Sequence, residues 1–319
     1  MPGLTADERA HYHQHGWVVA RGVLTEADFA KFEADYTALI HAKAVELRAA
    51  GHIQDLCESD DFAHRLANIA AQCSDQVREE DLGPWGQSLD TMHARQRGCF
   101  ELFFSERLLA AVESIVGEEI LLNPIQHFRP YLPARNGVQL RSGAATLTPW
   151  HQDQGVTREE ADASEIVTCW LPLVSVEAKH GCLQVIPDCV DGGLLKHVKS
   201  ASGTTIDPEC LSSVARAVDV PMRRGDLLFM NRFTPHRTGY ENTSNIVRWS
   251  LDLRFQKTGT PTGRAFWPEF ILQSRTAPGT VQNSYDEWSA RWEHDLAASK
   301  GERWHRVVGD VGGSIPGAK

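Results

Sequence analysis

The chain has no run of apolar residues long enough to cross a bilayer and no cluster of lysine and arginine. The first absence excludes a transmembrane helix, which needs about 20 consecutive apolar residues. The second goes with a net charge of −10, from 32 basic and 42 acidic residues, and removes the footprint expected of a nucleic-acid or anionic-membrane partner. No two of the seven cysteines form a CxxC pair, and their number is odd. Disulfide pairing and a thiolate zinc site are therefore not expected. Cys169, within the apolar run 166–174, reads as a small buried hydrophobe. Residues 1–9 lack the basic-then-apolar order of a secretion signal, so a cytoplasmic protein is expected, its oligomeric state open. With no internal repeat and no low-complexity linker, residues 1–319 read as a single domain.

What is present begins with two helix starts. Thr5 with Glu8 forms a capping-box pattern ahead of residues 5–14, and Gly16 closes that helix. Gly16-Trp17-Val18-Val19-Ala20 reads as a short strand. Thr25 caps a second helix running to about Leu47, with Phe29, Phe32, Tyr36 and Ile40 at helical spacing. Residues 48–100, which include Gly83-Pro84-Trp85-Gly86, show no strong period and read as a variable cap over a scaffold. A helix over 108–116 ends at Gly117, and 119–123 is the first clear strand.

Beyond it, 125–131, 166–174, 181–187, 226–231 and 246–255 are short β-rich runs bounded by Gly, Pro or Asn, with a long polar excursion over 188–220. Helices followed by many short strands predict a β-sandwich or barrel buttressed from its N-terminal side. The divisions are a helical part at 1–118, a β core at about 119–256 and a C-terminal wrap at 257–319. In the wrap, Trp267, Phe270, Trp288 and Trp292 are spaced as anchors.

The chemistry concentrates in Thr148-Pro149-Trp150-His151-Gln152-Asp153. In an extended strand, side chains two apart share a face, so His151 and Asp153 would present an imidazole and a carboxylate together. Arg223 to Asn231 reads as a turn and a buried strand, and the loop after it delivers His236. Two histidines and one carboxylate on one face of an octahedral metal leave open positions, an arrangement that suits non-haem Fe(II) and oxygen. Arg248 and Ser250 share a face of the last long strand. A buried guanidinium needs a partner, and a carboxylate fits its planar fork best. Asp252 or Glu241 could serve; so could a dicarboxylic co-substrate. The other twelve of the fourteen histidines, among them His127, His197 and His305, read as packing or surface residues. His11 and His15 have i,i+4 spacing but no nearby third ligand for zinc.

Together these motifs resemble the phytanoyl-CoA dioxygenase-like family of Fe(II)/2-oxoglutarate oxygenases, over nearly the whole chain. The opening helix with Gly16 to Leu24 is similar to that family's start, and Trp150-His151-Gln152-Asp153 to its metal motif. Val167 to Leu173 resembles the strand that follows it, and Gly181 to Pro187 a Gly-x-Leu-x-x-x-Pro strand. His236-x-Thr238, Asn242 and Arg248 resemble the distal half. The chain departs from the pattern after Pro187, where Asp188-Cys189-Val190 replaces the usual Gly-Ser-His. Asp188 can take the turn, because Asp tolerates its geometry.

The resemblance implies an α+β, mainly β fold: a double-stranded β-helix (jelly-roll, cupin-like) core buttressed by N-terminal helices. It implies iron bound by His151, Asp153 and His236, with 2-oxoglutarate and oxygen as co-substrates. Arg248, helped by Ser250 or Thr238, would hold the distal carboxylate of 2-oxoglutarate. Trp170 would line that pocket, and Gln126 would meet the carboxylate beside the keto group. In halogenating relatives a small residue replaces the carboxylate ligand, so Asp153 implies hydroxylation of a small-molecule substrate, with succinate and carbon dioxide released. Desaturation, epoxidation and rearrangement stay open, as do a Zn(II) or Mn(II) cupin-like hydrolase or isomerase and a non-catalytic jelly roll. Arg129, Arg135, Arg141 and Arg158 could flank the mouth. Residues 48–100, 132–147 and 188–220 are expected to shape the pocket.

Overall fold

The local signals at the N-terminus are used as the sequence presents them. Helix α1 (Ala6–His15) is capped by Thr5, whose hydroxyl accepts from the Glu8 amide at 3.2 Å while Glu8 Oε2 accepts from the Thr5 N–H at 2.8 Å. Gly16, at φ 81°, ends α1 in the left-handed conformation that glycine adopts without strain, and the chain passes into strand β1 (Trp17–Ala20). Asp28 accepts the Thr25 N–H at 2.8 Å at the head of α2 (Glu26–Ala49). Phe29, Phe32, Tyr36 and Ile40 are all buried along one stripe of that helix. The computed structural model describes residues 3–73, 90–134, 147–200, 203–211, 214–306 and 308.

The described part of 48–100 corrects the expectation of a peripheral cap. It carries α3 (Arg65–Gln72), α4 (Thr91–Ala94) and most of α5 (Arg97–Phe103), and Leu66, Ile69, Cys99 and Phe100 belong to the main hydrophobic core. Helix α5 lies so close to α2 that a Cβ on Gly98 would come within 2.5 Å of the Lys31 and Phe32 backbone. Gly83-Pro84-Trp85-Gly86 lies outside the described residues. Helix α6 (Glu106–Val116) then leads into the β core.

That core contains β2 (Ile120–Leu122), β3 (His127–Tyr131), the single-turn helix α7 (Asp153–Val156), β4 (Val167–Pro172) and β5 (Leu183–Val185). It continues through β6 (His197–Ser200), β7 (Gly203–Ile206), β8 (Val218–Val220), β9 (Leu227–Asn231), β10 (His236–Thr238) and β11 (Arg248–Lys257). The excursion at 188–220 is thus less irregular than its polarity predicts: it holds the β6–β7 hairpin and β8. Strand β12 (Phe270–Gln273) and helix α8 (Tyr285–Ala298) complete the described elements. The larger sheet runs β1-β9-β4-β11-β2-β12, with β3 also on β11; the smaller runs β10-β5-β8, and all pairs are antiparallel. The two sheets make a jelly roll, the architecture the resemblance implied.

The pleat decides which side chains reach the interior of this roll. On β11, Trp249, Leu251, Leu253 and Phe255 share the face toward the helices, where Trp249 stacks on Phe128 (ring centroids 5.1 Å apart) and on Phe62 (4.8 Å). Phe128 in turn meets Tyr36 of α2 at 4.4 Å. The alternate residues Arg248, Ser250, Asp252 and Arg254 face the other way, into the roll, and line a cavity. The tail returns as its aromatic spacing predicts: Trp288 and Trp292 of α8 are fully buried, near Phe270 of β12. Among the described residues no helix is long and apolar enough to cross a membrane.

Candidate metal centre and co-substrate pocket

His151 and His236 are brought together by the backbone. His151 donates its N–H to the His236 carbonyl at 3.0 Å, and His236 donates back at 2.9 Å, a two-residue bridge linking the motif loop to β10. The ring centroids stand 4.1 Å apart. Each Nδ1–H donates to a carbonyl two residues earlier, His151 to Pro149 at 2.9 Å and His236 to Thr234 at 3.0 Å. A carbonyl can only accept, so in the neutral ring each Nε2 keeps its lone pair for a ligand.

Asp153 arrives differently from the expected two-residue strand pattern. Gln152 is extended, at φ −111° and ψ 140°, but Asp153 itself opens α7. Its carboxylate is gripped on both sides: Thr168 Oγ1 donates to Oδ2, and Arg254 Nη2 donates to Oδ1. The donor atoms of His151, Asp153 and His236 all lie within 4.8 Å of one another, and no other group of three such ligands forms among the described residues. His11 and His15 stand with ring centroids 4.4 Å apart, and His15 Nδ1 meets Asp188 Oδ1 at 2.6 Å.

The electrostatics leave His151 and Asp153 as ligands at neutral pH. Burial, then the neighbouring His236 imidazole, pushes His151 down to about 4, so its ring is neutral. Burial pushes the Asp153 carboxyl up, but Arg254, His236 and His151 outweigh it and hold the group well below the usual carboxylate range. Two imidazole nitrogens and one carboxylate are the donor set that suits Fe(II) with open coordination positions.

His151 and His236 open onto a cavity of about 360 Å³ whose wall includes Arg248, Ser250, Thr238 and Trp170. Arg248 is 5% exposed and lies between the Tyr131 ring at 4.8 Å and the Trp170 ring at 5.6 Å. Among the described residues it has no hydrogen-bond or carboxylate partner; its Nε and Ser250 Oγ are both buried without one. Neither Asp252 nor Glu241 pairs with it, and Asp252 instead stands 3.7 Å from Arg254. Burial pushes the guanidinium down to about 10, which leaves it charged at neutral pH. A dicarboxylate answers both unmet groups. Its metal-side end would meet the open positions, and its far carboxylate would meet Arg248 and Ser250.

The remaining expected residues are placed as follows. Gln126 does not line this cavity; its Oε1 accepts from Thr91 Oγ1 at 2.7 Å and its Nε2 donates to the Asn123 carbonyl at 3.1 Å. Arg129 lines the cavity, Arg158 is turned to Glu160 at 3.2 Å, and Arg135 and Arg141 lie outside the described residues. Asp188 takes its turn at φ 59°. Gly203 and Thr204 bring the 188–220 segment to the wall. Residues 48–100 contribute Asp90, Met92 and His93 to an adjoining pocket of about 240 Å³. Most of 132–147 is outside the described residues.

Sequence reasoning missed four roles. His127 and His305 line both pockets, and His197 Nε2 accepts the Gln152 N–H at 3.1 Å beneath the motif. Arg254, the partner of Asp153, was also passed over. Its signal was the alternation Arg248-x-Ser250-x-Asp252-x-Arg254, a polar face on a strand whose other face is apolar.

The model of the Phytanoyl-CoA dioxygenase (PhyH) family matches residues 12–250. Among solved structures, the apo non-haem monooxygenase ThoJ is 15% identical, covering 92% of this chain and 99% of that one at a TM-score of 0.54. EvdO2 from Micromonospora carbonacea var. aurantiaca is 18% identical, covering 82% and 96% at 0.52. The epimerase SnoN, in complex with Fe3+, alpha ketoglutarate and nogalamycin RO, is 19% identical, covering 82% and 87% at 0.50. At these identities the likeness is one of fold. Among curated proteins, none matches this chain in sequence.

Proposed function

The chain belongs to the phytanoyl-CoA dioxygenase (PhyH) family, and from that premise we propose that it is an Fe(II)- and 2-oxoglutarate-dependent dioxygenase hydroxylating an unactivated C–H bond of a small-molecule metabolite. One observation carries the reading: His151 and His236 line the same cavity as an unpaired buried guanidinium, and the donor atoms of His151, Asp153 and His236 lie within 4.8 Å of one another. His151, Asp153 and His236 hold the iron. Arg248 and Ser250 take the distal carboxylate of 2-oxoglutarate, with Thr238 and Trp170 as wall. Gln126 receives no such role, because its amide is spent on Thr91 and Asn123. The whole chain, 1–319, acts as one catalytic domain.

Iron with 2-oxoglutarate and oxygen supplies the oxidising power, at the cost of the co-substrate's conversion to succinate and carbon dioxide. The protein's own part is to bind, orient and exclude water. The Pro149 and Thr234 carbonyls fix both imidazoles with Nε2 forward. Arg248 holds the co-substrate at one end, so its keto end is aimed by a fixed lever. Trp170 and Tyr131 flank Arg248 and keep bulk water from it, which strengthens its hold on a carboxylate.

The test is succinate release from the Fe(II)-loaded protein, with and without oxygen, across a panel of metabolites. Release that needs iron, oxygen and one metabolite, and that disappears in His151→Ala and His236→Ala while the fold is kept, is expected. Wild-type rates in either variant would reject the ligand assignment. A protein that takes up Zn(II) but ignores 2-oxoglutarate would favour hydrolysis or isomerisation.

A further inference from the structure

Arg254 is buried to 2% exposure inside the roll, where a charge is expensive unless it is held. It sits opposite Thr168 in the β11–β4 register, so the two side chains reach the Asp153 carboxylate from two adjacent strands. Arg254 Nη2 donates to Oδ1 and Thr168 Oγ1 to Oδ2. The guanidinium is itself anchored, with Nη1 donating to the Ile125 carbonyl at 3.2 Å and Asp252 standing 3.7 Å away. With one donor on each oxygen, the carboxylate cannot rotate freely about its bond to Cβ. Turning the carboxylate out of this orientation would mean giving up these bonds.

We propose that Arg254 is a positioning residue that fixes Asp153 as a one-oxygen metal ligand and thereby sets the metal affinity of the centre. Holding the ligand to one bond keeps coordination positions open for the co-substrate. The inference rests on the metal site proposed above and goes beyond it, since a guanidinium next to a ligand carboxylate could equally compete with the metal for that charge. The tethered geometry favours orientation, and losing such a supporting partner typically costs about 10- to 100-fold in metal affinity.

The experiment titrates the metal-free full chain with Mn(II), following the free ion by electron paramagnetic resonance, in wild type, Arg254→Met and Arg254→Lys. The methionine variant is expected to bind about 10- to 100-fold more weakly, and the lysine variant, a point charge without the fork, to recover part of the loss. Thermal unfolding of the metal-free proteins separates the roles: a merely structural residue would lower the midpoint and leave the affinity of the folded protein unchanged. Equal or tighter Mn(II) binding in a folded Arg254→Met protein overturns the proposal. If that variant does not fold, Arg254→Lys decides instead, and unchanged affinity there overturns it. A wild type that takes up no Mn(II) sinks the metal-site reading, and this inference with it.

Discussion

Replacing Arg248 with methionine separates a ligand-binding cation from a structural one by the sign of two effects. The side chain is 5% exposed, and among the described residues no carboxylate pairs with it. In the ligand-free protein its charge is offset chiefly by the faces of Tyr131 and Trp170, at 4.8 and 5.6 Å. Such contacts are worth about 0.5–2 kcal/mol, against a desolvation penalty of several kcal/mol for a buried ion. Methionine has similar length and no charge, so Arg248→Met should leave the stability of the ligand-free protein unchanged or raised.

Binding should move the other way. Breaking a buried charge pair by removing one partner costs about 3–5 kcal/mol, which is about 140- to 4,000-fold in affinity. The 2-oxoglutarate requirement should rise by that factor, with the requirement for the main substrate changing far less. Calorimetric titration of the metal-loaded protein with 2-oxoglutarate, alongside urea unfolding without ligands, gives both numbers. A variant destabilised by several kcal/mol that still binds 2-oxoglutarate like wild type would refute the reasoning and return Arg248 to a structural role.

Burial holds His151 and His197 down to about 4 from the ordinary 6.5, so below pH 6.5 the unfolded chain takes up protons that the fold refuses. Stability of the metal-free protein should therefore be full above pH 6.5 and fall as pH drops toward 4, by up to about 1.4 kcal/mol per pH unit for each group; a flat urea-unfolding profile across that window would contradict the burial argument. Gly98→Ala would press a Cβ within 2.5 Å of the α2 backbone, and a loss of about 1–3 kcal/mol in thermal unfolding is expected, whereas a neutral result would mean α5 is free to shift. Gln126→Leu should cost about 1–3 kcal/mol of stability by orphaning Thr91 Oγ1, yet leave the 2-oxoglutarate KM unchanged; a large rise in KM would bring Gln126 back into the site.

Short-range rules carried the helix ends and most strands. Thr5, Gly16, Thr25 and the stripe from Phe29 to Ile40 each act through neighbours within one or two turns, so their meaning survives in the linear order. Residues 48–100 did not, because α5 is fixed by contact with α2, and Gly98 carries that information in a missing side chain. The β6–β7 hairpin was hidden for a related reason: it is short and only partly buried, so it lacks an apolar alternation, and its place is set by the Ile206 N–H donating to the Trp150 carbonyl at 2.7 Å. At the site, the convergence of His151, Asp153 and His236 could be read from the motif, although Asp153 arrives from a helical turn and not by strand spacing, and Arg248 lies on the polar face of its strand. Gln126 was misjudged because a polar residue before a motif strand can face either side, and here it is engaged away from the cavity.

The two arginines of β11 explain why the readings diverge at a single residue. Arg254 and Arg248 point into the same cavity from one strand, but Asp153 neutralises Arg254 in place, while among the described residues no acid neutralises Arg248. A metal-dependent hydrolase or isomerase would be complete with the three ligands and would gain nothing from a second, unpaired cation at this depth. A binding protein without chemistry would have no need to keep both Nε2 lone pairs turned to one point. A divalent metal at the three ligands would make the cavity more positive still, and on the reading proposed above its occupant would be an anion long enough to touch both. A dicarboxylate with a keto group at its metal end meets that requirement, and removing the charge of Arg248 removes the requirement.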